Sequence, residues 1–268
     1  MIQNVKNLNQ LSNQKWINDS LNEEDKKNLE KESHSDSKFD TLQLRKKLYD
    51  EFVSNKAHTI VKKTNNARLV ILTSNSSAHQ FSNSFWSLWG RIFQWFGNPT
   101  SGPHWQVYLY ASDVKRTLPA SGPIGPDNLN GGYTFPCKSD CIVIYRYEEA
   151  TRVLVHELLH ASCTDNHSNS IELKEAITES WAELFLIALL SRGDMKYGYH
   201  LWKIQDHHIQ DLNYTVKTFH NVHSASDYGA RYTTMREKVF NDLGFQLDAH
   251  YTPKRISSSR FTSELLNV

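Results

Sequence analysis

Hydrophobic and polar positions are unevenly spread along the chain. Residues 1–38 run through Asn, Lys, Glu, Ser and Asp with scattered Leu and Ile, too polar to bury much surface, and read as a flexible amino-terminal segment. A helix is predicted over residues 39–55, and the run Arg68-Leu69-Val70-Ile71-Leu72-Thr73 reads as a strand. Residues 85–96 form an aromatic helix, after which Trp105-Gln106-Val107-Tyr108-Leu109-Tyr110 alternates as a half-buried strand. The Pro and Gly of residues 119–132 make a long loop. Asn130-Gly131-Gly132-Tyr133-Thr134-Phe135 then allows close backbone approach through its glycines, and Cys141-Ile142-Val143-Ile144-Tyr145-Arg146 is apolar enough for an inner strand, with a turn over 136–140 between them. From residue 147 onward the chain is mainly helical. Strands first and helices later predict an α+β protein in three parts: the polar segment 1–38, a lobe of residues 39–163, and a helical lobe of residues 164–268.

The aromatic helix packs three tryptophans and three phenylalanines into about three turns, more than an exposed helix tolerates. Core packing of the first lobe is the expected outcome, with Trp86, Trp89, Phe93 and Trp95 as a candidate partner surface otherwise. A single cation, Arg91, argues against membrane-surface binding.

The chemistry concentrates at His156-Glu157-Leu158-Leu159-His160. It lies in a segment, residues 148–163, that begins with acidic residues and is otherwise mostly apolar, and so reads as a buried helix. Two imidazoles one turn apart with a carboxylate beside the first are how a helix makes a catalytic zinc site. Burying all three groups is costly unless each finds a partner, and one divalent metal satisfies them together. The plainer alternative is a pair of core histidines bonded to backbone.

A third ligand is needed, and Glu179 follows His160 with eighteen residues between them. Glu172, Glu175, Glu179 and Glu183 share one face of the helix that carries it. A solvated acidic face suits Glu172 and Glu175. The apolar surroundings from Ala182 to Leu190 leave Glu183 in need of a cation or an imidazolium, so Glu183 is assigned to orient one of the histidines. His167 is the rival third ligand, although the metzincin pattern places its histidine one residue earlier and needs a glycine where this chain has Cys163.

Over about residues 148 to 190 the chain resembles the gluzincin metallopeptidases, the thermolysin-like and aminopeptidase-like group. The motif is HExxH-x18-E, and Thr178-Glu179-Ser180-Trp181-Ala182-Glu183 is similar to the group's Asn-Glu-Gly-Phe-Ala-Glu type of sequence. The resemblance implies a zincin-like fold, in which a small mixed sheet and the metal helix form the first lobe and the third ligand comes from the second. It implies one catalytic Zn2+ held by His156, His160 and Glu179. It also implies hydrolysis of peptide bonds by a zinc-activated water, with Glu157 as general base. An edge strand, here the one at residues 130–135, would hold the substrate backbone. Tyr228 or His223 would steady the oxyanion, from a stretch that also offers His220 and Tyr232. No carboxylate motif for a free amine precedes the metal helix, so an endopeptidase is favoured over an aminopeptidase. A non-catalytic protein that keeps the zincin fold as a structural or partner-binding module is the alternative.

Composition changes this picture little. The 268 residues suffice for a sizeable core, and a net charge of +1 gives no reason to invoke nucleic acid, leaving a peptide or protein as the expected partner. No apolar run is long enough for a transmembrane segment. With no signal peptide in the first 40 residues and only three cysteines, an intracellular, cytoplasmic and reducing setting is expected. A bridge from Cys137 to Cys141 stays open, and Cys163 reads as a small buried hydrophobe.

Overall fold

The computed structural model describes residues 15–35, 38–76 and 81–266. They form two compact units, one comprising the described residues up to Lys115 together with Gly131–Thr164, the other Arg116–Asn130 and the chain from Asp165 onward. The protein is thus mixed α and β, with six strands and eight helices among the described residues. None of those helices is long and apolar enough to cross a membrane. Residues 1–14, 36 and 37 of the expected flexible segment lie outside the described residues.

The first unit is built on one sheet of strands β1 (Ile17–Asn18), β2 (Ala57–Lys63), β3 (Ala67–Ser74), β4 (Trp105–Tyr110), β5 (Gly132–Tyr133) and β6 (Ile142–Ile144), in the order β1-β2-β3-β4-β6-β5. β4 runs parallel to β3 and β6, and the other pairs are antiparallel. As expected, the glycine-containing strand stands at the sheet edge and the apolar strand after it lies inside. β4 was expected to be half-buried, yet every one of its residues is buried. A strand flanked by parallel neighbours in mid-sheet is covered on both faces.

Val70, Leu72, Tyr108, Tyr110, Val143 and Tyr145 pack with Leu29 of helix α1 (Glu23–His34) and with Leu44 and Leu48 of α2 (Leu44–Val53). The alternate positions Leu69, Ile71, Val107, Leu109, Ile142 and Ile144 are equally buried and face the opposite way. There lie α3 (Asn83–Phe96) and α5 (Ala150–Ala161), joined by a hydrogen bond from Trp89 Nε1 to Thr151 Oγ1 at 2.9 Å. Trp86, Trp89 and Phe93 are buried in this layer, so core packing accounts for the aromatic helix and these three are not a free partner surface. Trp95 is half-buried.

α1 corrects the reading of residues 15–35 as flexible. Asn22 and Asp25 form a reciprocal capping box, with Asn22 accepting from the Asp25 amide and Asp25 from the Asn22 amide. Asp25 then takes two bonds from the Arg68 guanidinium, at 2.8 and 3.1 Å. The helix docks through buried charged and polar pairs and a single fully buried leucine, which a search for apolar periodicity passes over.

The second unit holds α4 (Pro126–Leu129), α6 (Ile171–Leu190), α7 (Met195–Phe219) and α8 (Thr234–Asp242). Residues 119–130, expected as a loop of the first lobe, belong here, since Ile124 and Leu129 pack with Leu212, Val216 and Phe261. Across the middle of α6, Leu184, Leu186 and Ile187 pack against Leu201, Trp202 and Ile209 of α7 and Phe240 of α8.

Candidate metal centre

All twelve residues of α5 are buried, including His156, Glu157 and His160. The helix enters through Glu149 in the left-handed region at φ 60° and closes over Ser162, whose amide donates to the carbonyls of Leu158 and His160. The two histidine Nε2 atoms stand 3.1 Å apart, with the rings inclined at 75°. Such a pair is either a nitrogen-to-nitrogen hydrogen bond or two lone pairs converging on one cation. Two nitrogens each roughly 2.0–2.1 Å from a tetrahedral ion stand about 3.3 Å apart, so the observed separation fits a zinc-sized ion held by both rings.

Glu157 lies against the edge strand. A Cβ added to Gly132 would meet Val153 Cγ1 at 2.6 Å, the Val143 carbonyl at 2.8 Å and Glu157 Oε1 at 3.4 Å. Only a residue without a side chain lets β5 approach α5 this closely, and that approach puts the carboxylate of Glu157 beside the strand backbone.

The far end of α5 is held by a disulfide between Cys137 and Cys163, whose Cα atoms are 4.6 Å apart. Both cysteines lie in the left-handed region, at φ 63° and 60°, and both donate their amides to the His160 carbonyl at 3.1 Å. This corrects three expectations. Cys163 is exposed rather than buried, Cys137 pairs with it rather than with Cys141, and the number of cysteines no longer argues for a reducing compartment. The bridge was hidden in the sequence because only the packing of α5 on β6 returns residue 163 to residue 137. Cys141 stays a thiol, and burial pushes its pKa up to about 12, which makes it a poor nucleophile. Replacing both bridged cysteines by serine, or reducing them with a dithiol, should lower the unfolding free energy by about 3.5 kcal/mol, the chain-entropy value for a 26-residue separation. Urea melts with and without reductant measure this, and equal midpoints would refute it.

The carboxylates of α6 belong to the second unit. Glu179 and Glu183 are buried, whereas Glu172 and Glu175 are partly exposed. Glu172 pairs with Arg231 at 3.4 Å. Glu183, expected to orient a histidine, accepts a hydrogen bond from Arg236 Nη1 of α8 at 2.8 Å, with both side chains fully buried. The cation that its depth demanded is therefore supplied by a guanidinium, and orienting a histidine is not needed to explain its burial. His167 is exposed in the turn before α6.

Of the two oxyanion candidates, Tyr228 is half-buried and donates to Asn130 Oδ1 at 2.8 Å. Burial holds its hydroxyl above the usual tyrosine pKa, so it remains a proton donor at neutral pH. His223 is exposed. Its amide and that of Ser224 donate to Asp227 Oδ2 at 2.8 and 2.7 Å, so Asp227 caps a turn. His220 is buried with Nδ1 3.1 Å from the Gly122 carbonyl oxygen, and Tyr232 is buried against Phe261.

Comparison of the chain with protein-family models, with curated proteins and with solved structures returns no match.

Proposed function

We propose that this protein is a zinc-dependent peptidase of the gluzincin type. The observation that carries the reading is the α5 triplet: two buried imidazoles with Nε2 atoms 3.1 Å apart, and Glu157 lying against an edge strand. A metal held by His156 and His160 would supply Lewis-acid activation of water and of the scissile carbonyl when bound. Glu157 serves as proton acceptor from the attacking water and as donor to the leaving amine, a task for which a residue buried next to the substrate strand is well placed. A structural metal site has no use for a carboxylate there, which separates this reading from a non-catalytic module.

The third ligand is Glu179, on the eighteen-residue spacing and on its burial in α6. Glu175, one turn earlier on the same face of α6 and partly exposed, is the second reading. Tyr228 is assigned to that oxyanion ahead of His223, being the one already sheltered from solvent.

The test is metal content and cleavage of a mixed peptide library for the wild type beside Glu179→Ala, Glu175→Ala and His167→Ala. Zinc lost with Glu179→Ala alone is the expected result. Zinc lost only with Glu175→Ala or only with His167→Ala reassigns the third ligand, and a library left uncut by metal-loaded wild type refutes the peptidase.

A further inference from the structure

β5 is only two residues long and pairs through Gly132 and Tyr133 with Ile144 and Val143 of β6; among the described residues no strand lies on its other side. A ladder that short is marginal and frays unless something besides the sheet holds it. Because side chains alternate along a strand, Gly132 looks towards α5 and Glu157 while Tyr133 looks to the opposite face. There the Tyr133 hydroxyl donates to Glu32 Oε2 of α1 at 2.5 Å and accepts from Arg45 Nη1 of α2. Arg45 is itself locked in place. Its Nη1 also donates to the Glu32 carbonyl at 2.5 Å, and its Nε to Asp40 Oδ2 at 3.0 Å, while Asp40 takes the Leu44 and Arg45 amides at the start of α2. The Tyr133 ring makes two further contacts, with the guanidinium 5.1 Å from its centroid and the Phe39 ring stacked at 5.9 Å. Glu32, Asp40 and Arg45 are all buried, so the cluster is well shielded from competing water.

We infer that Tyr133, Glu32 and Arg45 form a positioning clamp which fixes the edge strand beside Glu157, so that an extended peptide can add to the strand's free edge in register with the reacting groups. The inference rests on the peptidase reading for the substrate, but the clamp itself is a property of the first unit alone. Strand addition relies on main-chain hydrogen bonds to a preformed edge, and each of these weakens if the edge wanders by an ångström. Glu32, Arg45 and the Tyr133 side chain lie on the face of β5 opposite Glu157 and act through the placement of the strand. Their loss should therefore raise KM for extended peptides and leave kcat nearly unchanged.

The decisive variant is Tyr133→Phe, which keeps the stacked ring and deletes only the hydroxyl. Three measurements accompany it: metal content, KM and kcat on a peptide of at least six residues, and amide exchange of Tyr145, whose N–H donates to the Gly131 carbonyl at 2.8 Å. The expected result is unchanged metal, KM raised about tenfold with kcat within about twofold, and exchange at Tyr145 accelerated by a similar factor. Glu32→Gln, which keeps an acceptor for the hydroxyl, should stay near wild type, and Glu32→Ala should behave like Tyr133→Phe. Wild-type KM and exchange in Tyr133→Phe would overturn the clamp, as would parallel falls in kcat and metal content. If the wild type cuts nothing, the peptidase reading fails by itself, and the exchange measurement still decides whether the clamp holds the strand.

Discussion

Replacing Arg236 by methionine should cost about 3–5 kcal/mol of unfolding free energy, among the largest losses expected of any single substitution in the second unit. Arg236 and Glu183 are fully buried and meet at 2.8 Å, and the guanidinium also lies 5.4 Å from the Phe261 ring centroid. The loss arises less from the attraction between the two than from the carboxylate left in a site from which water is excluded. The double variant Glu183→Leu with Arg236→Met should therefore recover part of what the single variant loses, because the Glu183 carboxylate is then no longer left buried without its guanidinium. Urea unfolding with a constant slope measures both. A single-variant loss under 1 kcal/mol, or a double variant no better than the single, would mean that the pair is not formed as described. Zinc content of the two variants, measured below their melting temperatures, separates this structural role from an influence on the histidines.

Glu157→Gln should lower kcat/KM for peptide cleavage by roughly 10²–10⁴ while the bound metal is retained. The amide has the shape of the carboxylate and leaves the packing of α5 against Gly132 intact, but it accepts no proton from water. This substitution distinguishes the proposed proton carrier from a ligand. Metal lost together with activity would make Glu157 part of the coordination, and turnover at the wild-type rate would remove it from the mechanism.

Much of the first unit was legible because its signals are local. Apolar runs marked β3, β4 and β6, glycines marked the close approach at Gly132, and the acidic start and apolar body of residues 148–163 marked a buried helix. Segments held by polar groups were not legible. α1 and β1 read as flexible since their placement depends on Asp25 meeting Arg68, on Glu32 meeting Tyr133, and on Trp16 Nε1 reaching the Trp86 carbonyl seventy residues away at 2.7 Å. β2, with lysines at its end and a histidine near its start, carried too little apolar pattern to be recognised before its antiparallel partner was known. The same limit applied at the candidate site. His156, Glu157 and His160 were visible as a motif, whereas Cys163 was taken for a buried hydrophobe and the guanidinium that meets Glu183 was not foreseen.

What the sequence determined by itself is the set of groups that one helix can present together, because α-helical geometry places residues at i, i+1 and i+4 without help from the rest of the chain. That covers the two imidazoles, the carboxylate between them, and the row of glutamates on α6. The tertiary structure decided which buried charges neutralise one another, which cysteines pair, and what holds the edge strand beside Glu157. Those are contacts between residues far apart in the chain, chosen by how completely each polar group is satisfied once water is excluded, and no local pattern encodes that choice.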